Sequence, residues 1–406
     1  MSHHRVAILG AGLAGLATAY HLEKHNIDYV IIEQENYVGG RQQTIKIDKF
    51  LCDVGFQILL SAYTQLNQFP LNKLDNCYFP SGAKCYVNNT FHTLANPIKH
   101  PLNLTNSLLN PATAITDYIK LAKHILKLLS RSQKNIFSEL NISTAQLFKS
   151  LNLSPKFITH FLNPFFKGIF LEPNLDTSSR LCNYYLKLFV TGNAIIPKKG
   201  ICALPQLIAS YISKNKIHLN TKIESIKNSI ITTTQDTFKA DYICCALDNH
   251  SASNLFNIPK LDHNQVKNVY FSSTEPTIKS KWLHLVNSGP INNFHSVTAL
   301  NKKSSPKGTY LYSLTSIPTK NKPITTVEIL NHAKSLLGNS VDSWEEVVEF
   351  NIKHALISQK ISYNQLNNSF NNENIYFCGD WTIQGSVNGA LYSGKKAANH
   401  IIKQLT

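Results

Sequence analysis

Val6-Ala7-Ile8-Leu9-Gly10-Ala11-Gly12-Leu13-Ala14-Gly15 is the stretch on which the fold turns: a short apolar run breaks at three glycines spaced GxGxxG. Leu16 to His25 holds neither Pro nor Gly and predicts a helix. A second apolar run, Tyr29-Val30-Ile31-Ile32, ends in Glu33. Strand, glycine turn, helix, strand and terminal acid thus follow one another within about 30 residues, the context in which this spacing predicts a dinucleotide-binding unit. Gly10 makes the tight turn, Gly12 lets backbone approach a pyrophosphate, and Gly15 lets helix and strand pack closely. The helix start, with Ala14 in its first turn, offers unpaired N–H groups and partial positive charge to that pyrophosphate. Glu33 stands where a ribose would present its hydroxyls. This motif alone leaves NAD and FAD both open.

Working outward, Glu33 is followed by Gln34-Glu35-Asn36-Tyr37-Val38-Gly39-Gly40-Arg41-Gln42-Gln43-Thr44, a second glycine turn bearing a cation suited to phosphate charge. At the other end, Ile375-Tyr376-Phe377-Cys378 runs into Gly379-Asp380-Trp381-Thr382, then Gly385-Ser386-Val387-Asn388-Gly389-Ala390 and a helix. On these segments the chain resembles the flavin-dependent amine oxidase and phytoene desaturase superfamily. The resemblance implies an α/β (mixed α+β) fold: a Rossmann-like FAD-binding domain of the amine oxidase/glutathione reductase type with an inserted substrate-binding domain. It implies that Gly40 and Arg41 serve the pyrophosphate, and that Gly379 and Asp380 approach the ribityl chain. The helix near Ser386 and Val387 would point its positive end at the flavin N1/O2 edge.

The same resemblance makes Leu51–Leu59 the segment beneath the isoalloxazine, with Gly55, Phe56 and Gln57 nearest the ring, and makes the strand around Ile223 the one against adenine. Residues 1–75, 192–255 and 350–406 are then expected to form a discontinuous FAD domain, with 76–191 and 256–349 as the substrate domain. Similarity is strong at the ends and weak from about Lys260 to Phe350.

Hydride transfer to flavin N5 requires no triad or metal. The 16 histidines are dispersed, no HExxH or paired Cys occurs, and no metal is expected. Lys167, in Phe165-Phe166-Lys167-Gly168, is the candidate for a basic group near N5, with a solvated surface lysine as the alternative. Phe56, Phe166, Trp381 and Tyr392 are candidates to wall a hydrophobic cavity, core packing being the alternative for each.

The 406 residues carry 40 Lys+Arg against 24 Asp+Glu, a net +16 that favours anionic surfaces. The lysines are scattered and accompany no nucleic-acid motif, so nucleic acid is not an expected partner. Eight cysteines without CxxC pairs predict buried free thiols in a reducing compartment. No run reaches the roughly 18 apolar residues of a membrane span, and no signal peptide opens the chain, so a cytoplasmic protein is expected, folded from about residue 5.

From Ala112 to Leu129, apolar residues Ile115, Tyr118, Ile119, Ala122, Ile125, Leu126 and Leu129 recur at helical spacing, with Lys120, Lys123 and Lys127 grouped to one side. Two readings stand: a helix covering the substrate domain with its lysines in water, or peripheral contact with the inner face of a membrane.

Three functions follow. An FAD oxidoreductase would dehydrogenate or isomerise a lipophilic polyene or isoprenoid-like small molecule. An amine oxidase would use O₂. A non-catalytic lipid-binding escort on the same fold would have lost the flavin.

Overall fold

In the computed structural model, which describes residues 1–319, 322–361 and 374–405, the first apolar run forms β1 (Ser2–Leu9), followed by α1 (Leu13–Glu23) and β2 (Tyr29–Ile32). β1 pairs in parallel with β2 and with Thr237–Cys245, which in turn carries Ile375–Phe377 in parallel. Ile217–His218 extends the sheet beyond β2, and the strands Ile230–Thr233 and Ile223–Lys227 add an antiparallel edge. Val6–Leu9 and β2 are buried throughout, as central strands covered on both faces must be. This sheet therefore draws strands from near both ends of the chain.

β1 starts earlier than its apolar run because its polar start finds partners. His3 and Arg5 both reach the Asp241 carboxylate at 2.8 Å, and His4 meets Asp28 at 3.1 Å. α1 likewise begins at Leu13 rather than Leu16, inside the glycine motif, with Gly12 as its N-cap.

A second seven-stranded sheet runs in the order Glu345–Ile357, His263–Ser273, Tyr310–Ser316, Ile291–Ser296, His284–Leu285, Gly82–Val87, Thr90–Ala95. Val269, Phe271, Phe294, Tyr312 and Leu314 pack on Ile329 and Ala333 of the helix Thr326–Leu337. Tyr270 turns the other way: it packs with Phe50 and Phe350, and its hydroxyl donates to the Asp53 carbonyl at 3.0 Å. The expected boundary at residue 350 falls inside the strand Glu345–Ile357. A small sheet joins Leu59–Leu60 and Asn76–Tyr78 to Ala194–Pro197.

The segment Leu51–Leu59 falls in two strands, Phe50–Asp53 and Leu59–Leu60, because the chain turns at Gly55 with φ +81°. All eight cysteines are free and all but Cys202 are buried. Among the described residues no helix is long and apolar enough to cross a membrane, and no cluster of His, Cys, Asp or Glu is suited to a metal.

Candidate cofactor site

The three motif glycines do different physical work. Gly10, with φ +98°, turns the chain while its N–H donates to the Ile32 carbonyl at 2.8 Å. A Cβ on Gly15 would lie 2.0 Å from the Gly10 carbonyl oxygen, so this position belongs to helix–strand packing. A Cβ on Gly12 would meet no atom within 4 Å. Gly12 therefore opens onto free space at the start of α1, where no side chain caps the helix. That is the cradle a pyrophosphate would fill.

The second glycine turn lies against the first. Gly39 donates to the Ala11 carbonyl at 2.8 Å, and a Cβ on Gly40 would meet only the Gly12 Cα, at 3.4 Å. Glu33 closes the unit from the end of β2. Its buried carboxylate accepts the Ala11 N–H at 2.7 Å and the Glu35 N–H at 3.0 Å. Burial pushes its pKa above the usual carboxylate value, against the opposing pull of these N–H groups.

The distant C-terminal segment folds onto this unit. Arg41 Nη2 meets Asp380 Oδ1 at 2.6 Å, and Arg41 Nη1 donates to the Ala355 carbonyl at 3.0 Å. The cation expected at a phosphate also pairs with Asp380, whose carboxylate is buried. Gly379 donates to Ser393 Oγ at 2.9 Å. Ser386 caps the last helix, Val387–Leu405, by accepting the Gly389 N–H at 2.9 Å. Farther along that helix, a Cβ on Gly394 would fall 2.1 Å from the Ala14 carbonyl oxygen, and Thr18 donates to the Gly394 carbonyl at 3.1 Å. Ala14 thereby also packs between the two terminal helices.

Gly55-Phe56-Gln57 approaches the same unit from the side. Gln57 Nε2 donates to the carbonyls of Arg41 at 2.8 Å and Val54 at 2.9 Å, and Gln57 Oε1 accepts from Gln42. The Phe56 ring lies 4.8 Å from His295 of the second sheet, and Phe79 completes the group at 5.9 Å from Phe56 and 5.3 Å from His295. Burial pulls the His295 pKa down to about 3, so the ring is neutral. His295 and Phe79 escape sequence reading because they sit in segments without a motif. Tyr184 and Tyr185 of the helix Ser179–Thr191 escape it too: the Tyr184 hydroxyl accepts from Asn388 at 3.0 Å, and Tyr185 donates to the Gly385 carbonyl at 3.3 Å.

The other candidates separate. Ile223 lies on the edge strand of the first sheet. Lys167 sits half-buried in the helix Asn163–Phe170, and burial lowers its pKa below the ordinary lysine value. That helix rests on the strand carrying His295: Asn292 donates to the Pro164 carbonyl at 3.0 Å, and a Cβ on Gly168 would meet Asn292 Nδ2 at 3.0 Å. Phe166 is core, packed on Phe148, Phe165 and Phe170. Trp381 belongs to a separate core beneath the first sheet, and Tyr392 is exposed. These three do not wall one cavity with Phe56.

A mitochondrial protoporphyrinogen oxidase from Nicotiana tabacum is 39% identical over 54 residues, 13% of this chain and 11% of that protein. A 4,4'-diapophytoene desaturase (4,4'-diaponeurosporene-forming) from Staphylococcus aureus is 21% identical over 277 residues, 60% of this chain and 55% of the desaturase. The chain thus spans about half the length of the desaturase and a tenth of the oxidase. Among solved structures, an oxidoreductase from Methanosarcina mazei superposes with a TM-score of 0.75 at 16% identity, over 97% of this chain and 100% of that one. The family described as flavin containing amine oxidoreductase matches residues 13–402. The chain belongs to that family of flavin-containing oxidoreductases.

Proposed function

We propose that this oxidoreductase takes a hydride from a C–H bond of a lipophilic, polyene- or isoprenoid-like substrate, as a desaturase or isomerase does. Bound FAD supplies the acceptor for that hydride at N5. The first turn of α1, opened by Gly12 and Gly40, would hold the pyrophosphate. Glu33 would accept from the ribose while it ties Ala11 in place. Arg41 holds the Asp380 carboxylate in position for the ribityl chain. The start of the Ser386-capped helix lends its positive end to the flavin edge.

One observation carries the substrate class. Where Gly55-Phe56-Gln57 meets the second sheet, Phe56, Phe79 and His295 form an uncharged aromatic group, and His295 stays neutral because it is desolvated. Such a surface desolvates an apolar carbon chain without stranding a charge. The desaturase likeness over 60% of the chain supports the same reading.

The amine reading rests on Lys167, a lysine whose burial favours its neutral form beside the strand carrying His295. Anaerobic mixing of the purified protein with isoprenoid donors and with a panel of amines separates the two. Bleaching of the flavin absorbance by isoprenoids alone is expected. Bleaching by amines alone, with peroxide released in air, would overturn the proposal. The escort reading requires protein that purifies colourless and takes up no FAD.

A further inference from the structure

The helix Ile115–Leu129 is held by one side and leaves its apolar stripe uncovered. On the inner side Leu128 and Asp117 are buried. Asp117 accepts from the Ser154 N–H at 2.7 Å and the Ser154 hydroxyl at 2.6 Å, and His124 Nε2 meets Asn183 Oδ1 at 2.8 Å. On the outer side Ile115, Ile119 and Leu126 expose 62%, 59% and 66% of their surface, in line with Ala122 and Leu129 at helical spacing. Fifteen residues make this stripe about 22 Å long. The expectation that the apolar face covers the substrate domain is therefore met only by the inner side.

The neighbouring chain prolongs the stripe. The short helix Leu104–Leu108 is tied to it through Ser107, whose carbonyl accepts from Tyr118 at 2.9 Å, and just before it Ile98 and Leu102 expose 85% and 95%. Ile98 to Leu140 is about a tenth of the chain, yet it contributes ten of the sixteen large exposed apolar side chains among the described residues. Scattered exposed leucines need no explanation, but this concentration does.

The charge on this face has one sign. Lys123 and Lys127 are exposed one turn apart beside the stripe, and Lys134 is exposed beyond it. The two acids of the segment are committed inward: Asp117 as above, and Glu139 to Arg131 and to Asn183. A second copy of this face would set lysine against lysine, which argues against a self-complementary dimer. An apolar stripe flanked by lysines fits the boundary between anionic headgroups and acyl chains.

We propose that the face carried by Ile98–Leu129 is a docking surface for an anionic lipid bilayer. It lies one helix from the cofactor site, because Ser179–Thr191 touches His124 through Asn183 while Tyr184 and Tyr185 hold Asn388 and Gly385. The surface stands apart from the assignment of the flavin.

Flotation of the full chain with phosphatidylglycerol-containing vesicles tests it, with pure phosphatidylcholine vesicles as the comparison. Recovery with the anionic vesicles at low salt, declining as salt rises, is expected. Lys123→Gln and Lys127→Gln should each weaken binding about fivefold, and together about 25-fold. Ile119→Ser with Leu126→Ser should abolish it, with circular dichroism and flavin content unchanged. Wild-type protein left wholly in the soluble fraction, or variants floating like wild type, would overturn the proposal. So would a change of oligomeric state in the apolar variant without any flotation, which would assign the face to a second copy. Flotation of flavin-free protein would support the surface while counting against the cofactor, so the two readings fail separately.

Discussion

Replacing Gly12 and Gly15 in turn separates a glycine that makes room for a ligand from one that makes room for the protein. Gly12 has φ −68° and ψ 177°, extended backbone that any residue adopts, and a Cβ there meets nothing within 4 Å. Gly12→Val should cost the apoprotein only about 1 kcal/mol, the usual loss for a poor N-cap. Its side chain would occupy the space in front of the first N–H groups of α1. Each charge-assisted hydrogen bond lost there is worth about 1.5–3 kcal/mol, so two amount to about 3–6 kcal/mol, or roughly 10²–10⁴-fold in FAD affinity. Gly15→Ala behaves in the opposite way. Its Cβ would lie 2.0 Å from the Gly10 carbonyl oxygen and 3.1 Å from its carbon, both backbone atoms that cannot swing aside. Helix and strand must separate, at a cost of at least about 3 kcal/mol. Denaturant melts of the apoproteins and fluorescence titration with FAD measure the two effects. Undiminished flavin binding by Gly12→Val, or an apoprotein as unstable as Gly15→Ala, would refute the placement of the pyrophosphate.

Glu33→Ala should weaken FAD binding less than Gly12→Val and should also lower the melting temperature, because the Ala11 and Glu35 N–H groups lose their acceptor at about 1–3 kcal/mol each; Glu33→Gln, which keeps one acceptor oxygen, should recover part of the stability. Acid should destabilise the protein through His284 and His295, whose pKa values burial pulls from 6.5 to about 3. The unfolded chain binds these protons first, so stability is lost as pH falls from 6.5 toward 3, at about 1.4 kcal/mol per pH unit for each ring. Asp53, pushed up to about 6 by burial, takes its proton first in the folded chain and offsets about one ring's share of that loss below about pH 6. His295→Gln should reduce that slope in denaturant melts, and an unchanged slope would count against a neutral His295. Lys167→Met should leave flavin reduction by an isoprenoid donor and FAD affinity unchanged, whereas slowed reduction by an amine would favour the amine reading. If flavin content falls instead, the helix Asn163–Phe170 supports the cofactor site rather than the chemistry.

Much of the cofactor unit is legible locally because its parts are consecutive. β1, the glycine turn, α1 and β2 close their hydrogen bonds within 33 residues, so periodicity and glycine spacing suffice to read them. Partners across the chain leave no such mark. Arg41 reads as a phosphate ligand, but its pairing with Asp380, 339 positions away, is not written in its own segment. Ala14 reads as a ligand-side residue, but the packing of Gly394 against its carbonyl is equally absent from its own segment. His295 reaches Phe56 from a sheet whose strands carry no motif.

The sequence by itself determined that a nucleotide-binding unit opens the chain and that an acidic glycine turn near the other end belongs with it. The first rests on residue types required by backbone geometry at a phosphate, the second on the resemblance to flavin-dependent amine oxidases and phytoene desaturases. Only the tertiary structure decided which glycine borders free space, which ion pairs form, and which side of Ile115–Leu129 meets solvent. The physical reason is that amphipathic spacing records an apolar face but not whether another element comes to cover it.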